Sequence, residues 1–561
     1  MKRLSERKKK WIERTVANDR SYKLFLYNRF FIFLVLVLIQ VVLLIGLTYL
    51  IVYNSTIGIL LQLVIGILEL VMVLYLVNKT DRPSSKLNWI LFIVALPAVG
   101  VPTYLLYGEG RPTRKMHKKI QRSKTENAKY MQKSGGTDAL PLSKPISPLC
   151  VTQEQSLNDR AEGLSRYLEK YAGYPVFYDG DVTYYKSGEE MYPELLQALE
   201  SAEKFILVEY FIIAGGKMWG NILKVLLRKA MEGVQVRIIY DDFGCMMTLP
   251  PRYDRYLSSL HPNMKCLSFN KVVPLFALRM NNRDHRKILV VDGKTGFTGG
   301  INLADEYINE KRRFGYWKDT GVKITGGAVD SFTKMFFYMW NAFHGEKEDL
   351  SNYLFCGDGR AETPSPSAGE SEDKTPQKNT AFRLQPYDDS PLDKISVGET
   401  VYADIIHRAS KYVWIFTPYL LLDDYMRSAL AMAAMRGVDV RIVTPGIPDK
   451  KTTYRLTRAN YAVLMKSGVK IYEYTPGFIH AKSMLCDDEY AVVGTINLDY
   501  RSLYLHFENA VYFAGCDAVA DMKRDYEEVF SVSKECTQKD PKRSLLGRLI
   551  DSVLRLFETM M

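Results

Sequence analysis

One sequence pattern occurs twice in this chain of 561 residues, and the repeat restricts the possible folds more than any other feature. Each copy has a histidine, a lysine two residues later, an aspartate after four further residues, and then a Gly-Gly/Thr-x-Asn-Leu tail. A single match to a short motif is weak evidence, but two copies with matching tails are not a coincidence. The repeat therefore predicts two duplicated halves with equivalent candidate site residues. These are His285, Lys287, Asp292 and Asn302 in the first copy, and His480, Lys482, Asp487 and Asn497 in the second.

Similar strand and helix signals surround each copy of the pattern. Apolar, β-branched runs at 205–211 and 412–419 are typical of strands, and each is followed by a helix-like stretch and a second strand at 233–242 or 437–445. Both second strands open with a glycine, a residue that commonly ends a helix. Alternating strands and helices favour a sheet covered by helices. We therefore predict the α/β class, with two duplicated α-β-α halves built on mixed, mainly parallel sheets.

Hydrophobic segments dominate the N-terminal region. The runs Phe30–Tyr53, Ile57–Val77 and Leu87–Tyr107 each contain at least 21 residues with few or no charges. About 20 apolar residues span the hydrocarbon core of a bilayer. A cleaved signal peptide is not favoured, because the first run is too long and no small-residue cleavage site follows it. These runs predict two N-terminal transmembrane helices and a third segment that Pro97 and Gly100 could make re-entrant.

The formal net charge of +12 first points to a nucleic-acid-binding protein, but the charge is concentrated beside the hydrophobic runs. Residues 1–24 carry a net charge of +6 and residues 111–124 carry +7, so the rest of the chain sums to −1. Basic segments that flank transmembrane helices usually stay on the cytoplasmic side. We therefore predict a multi-pass cell-membrane protein with its catalytic body on the cytoplasmic side, which contacts the bilayer and no nucleic acid.

Changes in composition indicate the domain boundaries. Residues 357–380 are rich in Pro, Ser, Gly and charged residues, as disordered segments are. The last 18 residues place Leu549, Ile550 and Phe557 on one helical face, which is typical of an amphipathic helix. The predicted divisions are a basic N-terminus at 1–29, a membrane anchor at 30–110, a basic segment and linker at 111–150, a first half at 151–356, a disordered insertion at 357–383, a second half at 384–540 and an amphipathic C-terminal helix at 541–561.

The doubled motif resembles the signature of the phospholipase D superfamily. The hydrophobic segments ahead of it, the stretch Trp89–Gly100 and the segment Pro445–Lys451 are similar to those of bacterial cardiolipin synthases. The resemblance implies a phosphatidyltransferase that joins two phosphatidylglycerol molecules into cardiolipin and glycerol, in a ping-pong reaction through a phosphohistidine without metal or cofactor. The seven cysteines, none in a CxxC pair, and the lack of carboxylates at metal-ligand spacing agree with this expectation.

The residue types of the motif suit exchange at a phosphodiester. A histidine and a lysine two residues apart on a strand point to the same face, so one such pair from each half could enclose a single phosphate group. The two lysines would neutralise the phosphate, and Asn302 and Asn497 would donate hydrogen bonds to its oxygens. One histidine would attack phosphorus and the other would protonate the leaving alkoxide. We take His285 as the nucleophile and His480 as the acid–base group, although the halves are too alike for this order to be settled.

The carboxylates of the motif need a separate interpretation. Asp292 and Asp487 belong to the candidate catalytic set, but they lie seven residues from their histidines, and an odd separation on a strand places them on the opposite face. We therefore interpret them as structural residues that cap a turn or bind backbone groups. The remaining histidines of the chain lack the motif and are predicted to be ordinary residues. They are His117, His261, His344, His407 and His506.

Each catalytic imidazole still needs an acceptor that fixes its tautomer. Asp319 and Glu508 lie 34 and 28 residues after the two motif histidines, on segments that align between the halves. These spacings are similar to those of the histidine-orienting carboxylates of the family. Because each half contains one histidine and one such acid, we expect Asp319 to orient His285 and Glu508 to orient His480.

Competing functions remain at this point. Hydrolysis of phospholipids is the near alternative, since water could replace the acceptor alcohol. A nuclease of the same superfamily is disfavoured because its basic groove should lie in the body, which is close to neutral. The expected partners are phosphatidylglycerol and other anionic phospholipids, with phosphatidylethanolamine as a possible co-substrate. The oligomeric state is not predicted.

Overall fold

The computed structural model covers most of the two predicted halves. It describes residues 55–79, 83–95, 113–133, 162–272, 282–355, 382–392 and 395–537, with single positions at 42–49, 100–105 and 544–555. Nearly all of the first hydrophobic run, the insertion at 357–383 and the C-terminal segment at 541–561 lie outside the described residues.

The first half contributes nine strands to the described part of the chain. They are β1 (Val182–Tyr185), β2 (Phe205–Tyr210), β3 (Gln235–Asp241), β4 (Met264–Phe269), β5 (Arg283–Asp284), β6 (Lys287–Val291), β7 (Thr295–Gly299), β8 (Tyr316–Lys318) and β9 (Gly321–Thr325). Seven of these described strands form a sheet in the order β1-β9-β7-β6-β2-β3-β4. The predicted strands at 205–211 and 233–242 correspond to β2 and β3, which are parallel neighbours. The first motif therefore lies on β6, at the centre of the sheet.

The second half repeats this arrangement in nine further described strands. They are β10 (Arg383–Asp389), β11 (Tyr412–Phe416), β12 (Asp439–Pro445), β13 (Lys470–Tyr474), β14 (Gly477–Ile479), β15 (Ser483–Cys486), β16 (Tyr490–Gly494), β17 (His506–Ala514) and β18 (Ser533–Glu535). Eight of these described strands follow the order β10-β17-β16-β15-β11-β12-β13-β18. The predicted strands at 412–419 and 437–445 correspond to the parallel neighbours β11 and β12.

The prediction of mainly parallel sheets is wrong. In the two strand orders given above, the parallel pairs among the described residues are β2–β3, β3–β4, β11–β12 and β12–β13, and the other neighbours are antiparallel. Each motif strand turns back at once, because Asp292 and Gly293 after β6, and Asp487 and Asp488 after β15, all have positive φ. Two consecutive residues with positive φ form the tight turn that joins antiparallel strands.

Helices pack on the sheets, and one of them links the halves. The described helices are α1 (Ser55–Asn78), α2 (Pro83–Ala95), α3 (Thr113–Lys133), α4 (Gly188–Glu200), α5 (Lys217–Met231), α6 (Tyr253–Leu260), α7 (Val329–Phe343), α8 (Val397–Arg408), α9 (Asp424–Met435), α10 (Lys451–Lys466), α11 (Tyr500–Tyr504) and α12 (Asp517–Ser531). The helix α7 contacts β6 of the first half and β10 of the second. Its buried Phe336 and Trp340 belong to one apolar core with Leu207 and Val511. The two halves are therefore joined by a shared core.

Part of the predicted basic segment and linker at 111–150 is helical. Its residues Thr113–Lys133 form α3, which packs against α7. The side chains of Ile120 and Asn127 are buried, and the Asn341 amide donates a hydrogen bond to Asn127 Oδ1 (2.8 Å). Residues one or two turns apart on a helix share a face, so this stripe docks the helix while its cations remain on the outer face.

The N-terminal helices α1 and α2 pack together through Leu76, Trp89 and Ile93. Among the described residues, no helix combines the length and the apolar character needed to cross a membrane. The predicted hydrophobic run Ile57–Val77 lies within α1, and the run Leu87–Tyr107 begins within α2.

Candidate active site

Both copies of the motif reach the interface between the two halves. The strand β5 pairs with β17, and the backbone N–H of His285 donates to the carbonyl oxygen of Phe507 (2.9 Å). In the same way β14 pairs with β8, and the N–H of His480 donates to the carbonyl oxygen of Lys318 (2.7 Å). Each motif histidine is thus attached to the opposite half, and both side chains are almost fully buried.

A fully buried carboxylate contacts each imidazole. The Nδ1 atom of His285 lies 2.8 Å and 3.0 Å from the two carboxylate oxygens of Glu508. The Nδ1 atom of His480 lies 2.7 Å from Oδ2 of Asp319. Because an ionised carboxylate can only accept hydrogen bonds, we assign a proton to Nδ1 in both rings. The other ring nitrogen, Nε2, then has a free lone pair for attack or proton transfer.

The predicted pairs of histidine and acid are wrong, because the acids are exchanged between the halves. The structure places Glu508 with His285 and Asp319 with His480. The cause is the strand pairing across the interface. The strand β17, which carries Glu508, lies beside β5, which leads into His285, and β8 and β14 repeat this arrangement on the other side. Neither half therefore contains a complete pair.

The two motif lysines lie beside the histidines, as the i, i+2 spacing predicts. The ammonium of Lys287 donates to the backbone oxygen of His285 (2.7 Å), and that of Lys482 lies 2.8 Å from Nδ1 of His480. Burial lowers the pKa of Lys287 to about 8 and that of Lys482 to about 7. Since burial disfavours the charged form of a lysine, a bound anion such as a phosphodiester would relieve this cost.

Burial also sets the protonation of the histidines. It lowers the pKa of His285 well below the usual range and, with the nearby charge of Lys482, lowers the pKa of His480 to about 4. Burial alone would raise the pKa of Asp319, but its interaction and hydrogen bond with His480 and the nearby ammonium of Lys482 hold that pKa below its usual value. Both imidazoles are therefore neutral at neutral pH. A phosphodiester anion beside His480 would raise its pKa, which is the change that a general acid requires.

The two motif aspartates bind backbone groups rather than histidines. The carboxylate of Asp292 accepts hydrogen bonds from the N–H groups of residues 203–205, each at 2.8 Å. That of Asp487 accepts from the N–H groups of residues 410–412 at 2.7–2.8 Å. Each aspartate thereby holds the start of a central strand, β2 or β11, against its motif hairpin. This geometry agrees with the structural role that their odd spacing indicates.

The two motif asparagines are partly engaged within the protein. The amide of Asn302 accepts from the N–H of Ile212 (3.0 Å) and donates to the hydroxyl of Tyr307 (2.7 Å). The amide of Asn497 donates to Asp499 (3.1 Å). An amide NH₂ group carries two hydrogens, so one remains in each residue for a substrate oxygen. Their role in phosphate binding stays a prediction.

His506 is the residue that sequence reasoning missed. The sequence predicts an ordinary histidine outside the site. That prediction is wrong, because the ring of His506 lies in the active site, with its centroid 5.5 Å from that of His285. Its Nδ1 atom lies 3.6 Å from Oε1 of Glu508. The signal was available, since His506 precedes Glu508 by two residues, and alternate residues of a strand share a face.

Among the described residues, His285, His506 and Glu508 are the one group of three whose donor atoms are close enough for a metal ion, within 4.8 Å of one another. However, His285 and Glu508 already share a hydrogen bond, and the positive charges of Lys287 and Lys482 act on this position. Both features oppose the binding of a cation. We assign no metal to this group.

The chain is similar in sequence to a known domain family and to known bacterial proteins. The domain family described as "Cardiolipin synthase, PLD-like domain" matches residues 195–340 and 402–530, one segment in each half. A cardiolipin synthase of Alkalihalophilus pseudofirmus is 32% identical over 485 residues, which cover 86% of this chain and 90% of that protein. The chain belongs to the cardiolipin synthase family. A second relative, an uncharacterized protein of Streptococcus mutans, is 41% identical over 485 residues, which cover 86% of this chain and 98% of that protein.

The fold of this cardiolipin synthase family member also occurs in a solved structure. The phosphatidylserine synthase of Haemophilus influenzae superimposes with a TM-score of 0.53 at 15% identity, and the match covers 72% of this chain and 100% of that chain. At this identity the likeness concerns the fold alone. It agrees with the predicted α/β architecture with mixed sheets.

Proposed function

We propose that the chain makes cardiolipin by transferring a phosphatidyl group from one phosphatidylglycerol to another, with release of glycerol. The chain is a phosphatidyltransferase of the cardiolipin synthase family. One observation carries the proposed chemistry. Two buried histidines at one interface each bind a carboxylate of the opposite half through Nδ1.

The first step of the proposed reaction forms a covalent intermediate. Nε2 of His285 attacks the phosphorus of the donor phosphatidylglycerol, and the bond between phosphorus and the glycerol oxygen breaks. His480 supplies the proton that this oxygen needs to leave as glycerol. The carboxylate of Glu508 balances the positive charge that develops on the ring of His285.

The second step reverses these roles. His480, now neutral, removes the proton from a headgroup hydroxyl of the acceptor phosphatidylglycerol. The resulting oxygen attacks the phosphorus held by His285, the phosphorus–nitrogen bond breaks, and cardiolipin forms. Lys287 and Lys482 offset the negative charge on the phosphoryl oxygens in both steps.

We further propose that the body works at the cytoplasmic face of the cell membrane. Two observations support this location. The helices α1 and α2 expose large apolar side chains, among them Leu63, Leu70 and Leu74. The outer face of α3 carries exposed cations, each of which contributes about 1 kcal/mol near an anionic surface. The exposed cations are Arg114, Lys115, Lys118, Lys119, Arg122 and Lys129.

Incubation of the full chain, purified in detergent, with phosphatidylglycerol tests the proposed activity. We expect equal amounts of cardiolipin and glycerol, measured by mass spectrometry and an enzymatic glycerol assay. Glycerol with phosphatidic acid instead of cardiolipin would identify a hydrolase. The absence of any lipid product would contradict the proposal.

A further inference from the structure

The two halves of the site carry different rings at the position two residues before each histidine-binding acid. His506 precedes Glu508 by two residues, and Trp317 precedes Asp319 by two. Each of these rings packs against the catalytic imidazole held by its acid. The centroid distances are 5.5 Å from His506 to His285 and 5.3 Å from Trp317 to His480. A titratable ring thus occupies the place on one side that an indole occupies on the other.

The carboxylates beside these rings have different partners. In Asp319, Oδ2 contacts the His480 imidazole and Oδ1 accepts from the N–H of Thr320 (2.9 Å), so both oxygens have a donor. In Glu508, Oε2 accepts from the Thr495 hydroxyl and from His285, while Oε1 has the His285 contact at 3.0 Å. Oε1 therefore retains capacity for a second donor.

Nδ1 of His506 can supply this second donor to Oε1 of Glu508. Its Nδ1 is buried, has no hydrogen-bond partner among the described residues, and lies 3.6 Å from Oε1 of Glu508. A normal N–H···O bond measures about 2.9 Å, so a shift of about 0.7 Å completes it. Burial lowers the pKa of His506 to about 4, so the ring is neutral at neutral pH and can carry its proton on Nδ1.

We propose that His506 is a positioning residue for the covalent step, which donates from Nδ1 to Oε1 of Glu508 as the phosphate group binds. This inference rests on the proposed phosphatidyl transfer. The added bond fixes the Glu508 carboxylate, and the carboxylate in turn fixes the Nδ1–H of His285 and the direction of its Nε2 toward phosphorus. His506 thereby distinguishes the nucleophilic half from the acid–base half.

Two substitutions of His506 distinguish the effect of its hydrogen bond to Glu508 from the effect of its packing against His285. In His506→Asn the amide Nδ2 lies two bonds from Cβ, as Nδ1 does in histidine, and can make the same bond. His506→Leu retains comparable bulk and removes the donor. We expect His506→Leu to lower kcat about 10- to 100-fold, the loss typical of one hydrogen bond to a charged group, with KM within twofold. His506→Asn should stay within about threefold of the parent kcat.

The measurements are steady-state cardiolipin formation and the pre-steady-state rate of glycerol release, which reports the covalent step alone. His506→Phe is a second variant without a donor in case His506→Leu does not fold. His344→Leu, the same substitution at a histidine outside the site, is the matched control and should leave glycerol release unchanged.

Three results would overturn the inference: parental kcat in both variants without a donor, equal losses in His506→Asn and His506→Leu, or a rise in KM at constant kcat. The failure of the proposed function is a different result, because the unsubstituted protein would then make no cardiolipin.

Discussion

The two halves of the active site present the same reacting groups but support them differently. Asp319 is short and is held by a backbone N–H, whereas the longer Glu508 is held by the hydroxyl of Thr495 and faces His506. The motif tails agree with this difference. Gly300 aligns with Thr495, and a Cβ at Gly300 would overlap the carboxylate of Asp319. The reacting residues of the two halves are thus alike while their supports differ, and the different supports would allow two similar histidines to take the separate roles proposed above.

The largest effects should come from the histidines themselves. We expect His285→Ala and His480→Ala each to lower cardiolipin formation by about 1,000-fold or more, since nucleophile and general acid–base both act at this scale. A phosphatidyl donor with a p-nitrophenol leaving group separates their roles, because p-nitrophenolate leaves without a proton. In stopped-flow absorbance, His480→Ala should still release about one equivalent per site.

In the same experiment His285→Ala should release no rapid first equivalent (burst) of p-nitrophenolate. His344 lies outside the site, so His344→Ala should give the same burst as the parent protein. A burst in His285→Ala that is missing in His480→Ala would reverse the assignment of the two histidines.

The exchanged acids should give the next largest effects. We expect Glu508→Gln and Asp319→Asn each to lower turnover on the order of 100-fold, because the amide no longer fixes the imidazole tautomer. With the p-nitrophenol donor, Glu508→Gln should slow the burst, since Glu508 contacts His285. Asp319→Asn should leave the burst near the parental rate. The opposite pattern would mean that each acid serves the histidine of its own half.

The smallest effect should be a shift in the pH profile. Burial lowers the pKa values of Lys482 and Lys287 to about 7 and about 8, and in the proposed reaction their charged forms offset the charge of the phosphate. We therefore expect kcat/KM to fall as the pH rises through 7. Lys482→Arg, which stays charged, should move this alkaline limb up by about one pH unit toward the pKa of Lys287, and Lys287→Arg should leave it in place. If kcat/KM falls over the same alkaline pH range in both variants, the two lysines have the same pKa.

Local patterns in the sequence were sufficient to predict much of this site. The spacing of histidine and lysine placed both side chains on one face, and the runs at 205–211 and 412–419 correspond to β2 and β11. The odd spacing of Asp292 and Asp487 separated them from the histidines, and both bind backbone N–H groups instead. These features depend on neighbours in the chain, which periodicity describes well.

Features that depend on contacts between the halves were not predictable in this way. The partner of each histidine is decided by the pairing of β5 with β17 and of β8 with β14, and no spacing within one half reports it. The sheet direction had a local signal that was missed, because Asp292-Gly293 is a typical hairpin turn. Asp487-Asp488 adopts the same positive φ values without a glycine, so its turn was harder to predict.

Because each acid comes from the opposite half, the histidine–carboxylate pairs can form only after both halves of the chain have been synthesised. While only the first half has been translated, His285 has no carboxylate partner, because Glu508 lies more than 200 residues further along the chain. Asp319 meanwhile has no imidazole to hold. A reactive histidine is therefore assembled only after the second half has folded against the first, so a truncated or half-folded chain has no assembled site with which to attack the lipids around it.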